Sequence, residues 1–138
     1  MKLQTCYQMM STKYTLKAKI LLYVAVIYSI SILVLSLANL GQIEIIKLEA
    51  SDKIYHAVCY AIMSFLWFGH AKFKSKELNF KIILIIIVLI SLFGIIIEYL
   101  QLTLTDYRTF DWWDVLANFI GIILGILMFK SLQKIFNQ

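Results

Sequence analysis

Four runs of apolar residues, 20–40, 54–71, 82–104 and 112–129, alternate along the chain with short polar joints. A helix needs about 20 residues, at ~1.5 Å rise each, to cross a hydrocarbon core ~30 Å thick. The runs have that length. The third contains the stretch Ile82-Ile83-Leu84-Ile85-Ile86-Ile87, which favours a strand by propensity. A membrane strand crosses in about 10 residues, however, and a spanning segment must satisfy its own backbone hydrogen bonds. Length and solvent therefore override propensity. The pattern predicts an all-α polytopic membrane protein, a bundle of four transmembrane helices. The joints, 41–51, 72–81 and 105–111, contain no repeat, no low-complexity linker and no room for a second domain. The first run exceeds the ~7–15-residue apolar core of a signal peptide, so it reads as a span.

Composition removes the soluble alternatives. Of 138 residues, 62% are hydrophobic and 15% charged, with no proline and a mean hydropathy of +0.84. Soluble domains average ~45–50% apolar and ~25% charged residues. A chain this short could not hide so much apolar side chain in one core in water. Cys6 and Cys59 make neither a disulfide framework nor a zinc spacing.

The net charge of +5 would suggest nucleic acid in a soluble protein. Sorting the charges along the spans gives another cause. Ten lysines against Glu77 alone fall in the N-terminal segment, the second joint and the C-terminal tail. Four spans put these three segments on one side, and the positive-inside rule makes that side cytoplasmic. Residues 1–19 then form a basic cytoplasmic segment, 20–129 the transmembrane domain and 130–138 a cytoplasmic tail. No nucleic-acid partner is needed. The opposite side holds Lys47, Lys53 and Arg108 against seven acids.

Polar residues within spans are costly and mark function. Asp52, His56 and Tyr60 are spaced i, i+4, i+8 and form one helical stripe, with Lys53 beside it. Glu98 and Gln101, spaced i, i+3, lie near the outer end of the third run. Arg108, Asp111, Asp114 and Asn118 open the fourth, and Gly121 and Gly125 continue that face with a spacing that admits a close neighbour. Three helices thus bring polar side chains to one level at the outer leaflet. Turned to lipid, each stripe is penalised; turned to one another, they neutralise. Trp112 and Trp113 read as head-group belt residues. His56 and Glu98 form a candidate acid–base pair. Arg108 is suited to a carboxylate or an anionic ligand. His56 with Glu98, Asp111 and Asp114 would also suit a divalent ion, but no His-x-x-x-His or His-x-x-Glu spacing supports one. No metal or other cofactor is expected.

The ordered blocks Asp52-Lys53-x-x-His56-x-x-x-Tyr60, Glu98-x-x-Gln101 and Arg108-x-x-Asp111-x-x-Asp114-x-x-x-Asn118-x-x-Gly121 resemble the VanZ-like family of small integral membrane proteins. The resemblance implies a multi-pass protein of the bacterial cytoplasmic membrane. The family's namesake is an accessory protein of teicoplanin resistance.

Two expectations follow. In one, the outer polar set binds or modifies a lipid or lipid-linked envelope molecule. His56 and Glu98 would move a proton there, Lys53 and Arg108 would hold an anionic head group, and Asp52, Tyr60, Gln101, Asp111, Asp114 and Asn118 would position the molecule. In the other, the cluster is non-catalytic and stabilises the bundle or binds a drug or partner.

Overall fold

The computed structural model describes residues 2–38, 49–75, 78–104 and 110–136, with side chains described for 15–38, 52–75, 78–104 and 110–134. These residues form four helices and no strand. They are α1 (Lys2–Leu37), α2 (Glu49–Ser75), α3 (Phe80–Leu104) and α4 (Trp112–Phe136). The β-branched stretch of the third run is helical, as its length requires. Helix α1 also reaches back through most of the basic N-terminal segment. Helix α2 runs on through Lys72 and Lys74, so the second joint is shorter than the lysine pattern alone indicates.

Two helix starts are legible as caps. The Asn79 side-chain oxygen accepts from the Ile82 amide at 2.9 Å and opens α3. The Asp111 carboxylate accepts from the Trp113 amide at 2.8 Å and opens α4. Each satisfies a backbone donor that the first turn leaves without a helical partner.

Helix α2 packs against all three others, most extensively against α4 and then α1, while α3 leans on each of them. The core joins Ile32 of α1, Tyr60 and Met63 of α2, Ile90 and Ile97 of α3 and Ile122 of α4. Two glycines set the α2–α4 distance. A Cβ on Gly121 would collide with the Ala57 carbonyl, and one on Gly125 with Ser64 Oγ and the Ala61 carbonyl. Backbone therefore meets backbone across this seam.

Large apolar side chains cover the outside. Ile27 is 64% exposed, Leu89 60% and Leu127 55%. Such a surface suits lipid rather than water. Three helical segments, Thr15–Leu37, Phe80–Leu104 and Trp112–Lys134, are long and apolar enough to cross a membrane. Helix α2 has the length, about 40 Å by helical rise, but a more polar sequence.

Candidate functional site

The antiparallel order places the start of α2, the end of α3 and the start of α4 at one end of the bundle. Each contributes polar side chains there. Lys53 Nζ donates to Asp111 Oδ2 at 3.0 Å and lies 3.5 Å from Asp114 Oδ1. The hydrogen bond to Asp111, more than any other cause, holds the Lys53 ammonium above its ordinary pKa. The Trp113 amide, followed by Lys53, holds the Asp111 carboxyl below its own. Lys53 and Asp111 are about one-third exposed, whereas the Asp114 side chain is only 6% exposed.

His56 sits between two sets of acceptors. Its Nδ1 is 3.0 Å from Asn118 Oδ1 and 3.8 Å from Glu98 Oε1. An amide oxygen only accepts, so Nδ1 carries the hydrogen and donates. On the other side, Nε2 lies 3.9 Å from Asp114 Oδ2. The 3.8 Å and 3.9 Å separations are too long for hydrogen bonds, and they are ion pairs only when the imidazole is protonated. Asp52 completes the outer rim: Asp52, His56 and Asp114 each offer a ligand atom within 4.8 Å of the others. This is the trio that could hold a metal. It differs from the set of His56, Glu98, Asp111 and Asp114 that the sequence pattern offers.

Tyr60, Glu98, Gln101 and Asn118 lie deeper and are all buried. Gln101 Nε2 donates across to the Ser36 carbonyl of α1 at 2.8 Å. Tyr60 Oη and Asn118 Nδ2 both lie about 3.1 Å from where a Cβ on Gly94 would stand. A side chain at residue 94 would crowd both. Arg108 lies outside the described residues.

A groove of about 420 Å³ runs between α3 and α4 beside this cluster. Ile95, Val115, Leu116 and Phe119 give it apolar walls, Trp112 adds an aromatic ring, and Ser91 and Asn118 are its polar lining. Asn118 therefore belongs both to the groove and to the His56 contact.

Several polar ties were not singled out by the sequence pattern. Ser64 Oγ donates to the Ala61 and Ile122 carbonyls at 3.1 and 3.2 Å. Its position four residues after Tyr60, on the same stripe, was the available signal. Trp67 Nε1 donates to Ser29 Oγ at 3.3 Å. His70 Nδ1 donates to the Ala18 carbonyl at 2.8 Å. Apart from the Ser64–Ala61 bond within α2, these bonds run from α2 to α1 or α4, and none involves a carboxylate.

Chemically, the described end of the bundle has an excess of acids. Asp52, Asp111, Asp114 and Glu98 share it with Lys53 and one imidazole. Lys53 is already engaged by two carboxylates. Such a site favours cations and hydrogen-bond donors over a bare anion.

A family model described as VanZ/LLP1 matches residues 4–136. No curated protein and no solved structure matches the chain.

Proposed function

The chain belongs to the VanZ/LLP1 family, and on that basis we propose that it binds or modifies a lipid or lipid-linked envelope molecule in the outer leaflet of the bacterial cytoplasmic membrane. The observation that carries this reading is the meeting of buried polar groups with an apolar groove. His56 contacts Asn118, and Asn118 lines the groove between α3 and α4. A chain lying in the groove would bring its polar head to the cluster, where His56 and Glu98 exchange a proton and Lys53, Arg108 and the remaining polar residues position it. An effect on susceptibility to teicoplanin-type glycopeptides would follow from acting on molecules of that leaflet.

The same reading makes α2 a fourth span, with both termini cytoplasmic. Ile54, Val58 and Ile62 are exposed at i, i+4, i+8, on the side of α2 away from the 52–56–60 stripe. That apolar strip supports contact with lipid along α2. The lysine distribution supports the orientation.

The test is to purify the protein in mild detergent and identify the lipids that come with it by mass spectrometry. The expected result is one class enriched over the bulk membrane and lost in folded His56→Ala and Asn118→Ala variants. Identical lipid profiles in wild type and both variants would sink the proposal. A non-catalytic role has its own support in the Gln101–Ser36 bond, which ties α3 to α1 as a structural brace would. On that reading, Glu98→Gln lowers folded abundance and leaves activity per folded molecule unchanged.

A further inference from the structure

The side of His56 away from Asn118 points to a cation. With Nδ1 donating to Asn118 Oδ1 at 3.0 Å, the imidazole in its neutral form keeps its lone pair on Nε2. That lone pair faces a second electron-rich group, Asp114 Oδ2, at 3.9 Å. Neither atom can donate to the other. The Asp114 side chain is only 6% exposed, so water screens the repulsion weakly. Its other oxygen, Oδ1, is closed to solvent and has no hydrogen-bond partner among the described residues; its neighbour is Lys53 Nζ at 3.5 Å. Asp52 brings a third ligand atom, within 4.8 Å of the other two.

We infer that a divalent cation of the zinc class binds His56 Nε2 and the carboxylates of Asp114 and Asp52. Tetrahedral bonds of ~2.0–2.2 Å hold ligand atoms ~3.3–3.6 Å apart, so the pair at 3.9 Å closes by a few tenths of an ångström on binding, and the Asp52 side chain, on the half-buried rim, swings in to complete the set. One imidazole and two carboxylates form a mixed nitrogen–oxygen set suited to Zn²⁺. Asn118 then has the role of an outer partner: it fixes the ring and its tautomer, as groups behind metal-bound histidines do. Three protein ligands leave coordination positions for water or a bound molecule. The trio is invisible as a motif because it is split between α2 and α4. The cation site needs no lipid in the neighbouring groove, but a cation on Nε2 takes His56 out of proton exchange with Glu98, and the metal titration therefore tests it apart from the lipid analysis.

The test uses the full chain, in detergent, with its affinity tag removed and after chelator treatment. Zn²⁺ is titrated by calorimetry, and the metal retained after gel filtration is counted by mass spectrometry. One equivalent per chain is expected in the wild type. Asp114→Asn and His56→Ala weaken binding by at least ~100-fold, and Asn118→Ala, which keeps every ligand, by ~10-fold or more. Lys53→Met tightens binding, because it removes a competing positive charge from Asp114. Absence of a saturable equivalent in the wild type overturns the inference, as does unchanged affinity in both ligand variants. Since buried substitutions can unfold the protein, Co²⁺ supplies a second readout. Asp52→Asn alters only the half-buried rim, and it is expected to shift the visible Co²⁺ spectrum. An unshifted spectrum in that folded variant removes Asp52 from the site and overturns the assigned ligand set.

Discussion

The seam between α2 and α4 changes character along its length. At one end Lys53 and His56 reach across to Asp111, Asp114 and Asn118 with long side chains, at 3.0 to 3.9 Å. Farther along, Ala57, Ala61 and Ser64 meet Gly121 and Gly125, and backbone touches backbone. The glycine end fixes how far apart the helices lie. The polar end inherits that distance and places groups at it that need not touch. Close packing in the bilayer is thus separated from chemistry, although one pair of helices carries both. If this division is right, substitutions at the two ends fail differently.

The largest effect belongs to the glycine end. Gly125→Leu would drive a branched side chain into Ser64 and the Ala61 carbonyl. Backbone cannot give way as a side-chain tip can, so the helices must separate. The expected cost is at least ~3 kcal/mol, at the upper end of what overpacking does. Folded abundance after gel filtration in detergent should collapse. Near-normal recovery would show that the seam is looser than its geometry states.

At the polar end, His56→Ala should act on function before fold. It leaves Asn118 Oδ1 buried without its donor, a loss of about 1–3 kcal/mol. The variant should remain isolable, with a lower denaturant midpoint and without lipid enrichment. If it instead disappears as Gly125→Leu does, the polar end is as structural as the glycine end and the contrast fails.

Ser64→Ala probes the boundary between the two. It removes hydrogen bonds to the Ala61 and Ile122 carbonyls, both acceptors already used by their own helices. Polar contacts of this kind between membrane helices average ~0.6 kcal/mol. Unfolding in mixed micelles should resolve a shift of that size, with function intact.

Much of this arrangement was legible in the sequence. Run lengths gave the helices, and the periods of Asp52, His56 and Tyr60 and of Asp114 and Asn118 gave the facing stripes. Gly121 and Gly125 announced the close approach. What was not legible concerns partners across helices. Nothing in local spacing says that His56 meets Asn118 more closely than Glu98, because that choice depends on the rotation of α2 against α3 and α4. Nor could spacing bring Asp52 to Asp114. Helix α2 is the most polar of the four and packs against all three others, so its polar side chains find partners across helices that local spacing does not name.

The smallest effect sharpens the contrast by pH. Asp111 both caps α4 through the Trp113 amide and accepts from Lys53. Asn serves as an N-cap about as well as Asp, so Asp111→Asn keeps the cap and deletes the charge. The Lys53 and Asp111 side chains are 36% and 35% exposed, and solvent screens such a pair strongly. Near neutrality the variant should therefore melt only slightly below wild type. The Asp111 carboxyl is held below its ordinary pKa of 3.8, first by the Trp113 amide and then by Lys53. Its ionic contribution is complete above that ordinary value and is lost as pH falls through the lower, folded one. Lys53, raised in turn, stays charged throughout this range. The difference in melting temperature between wild type and Asp111→Asn should therefore be constant from pH 7 to 5 and close as the pH is taken below 3.8. A difference that persists in acid would mean that Asp111 acts through shape rather than charge, and that the polar end, like the glycine end, is held by fit.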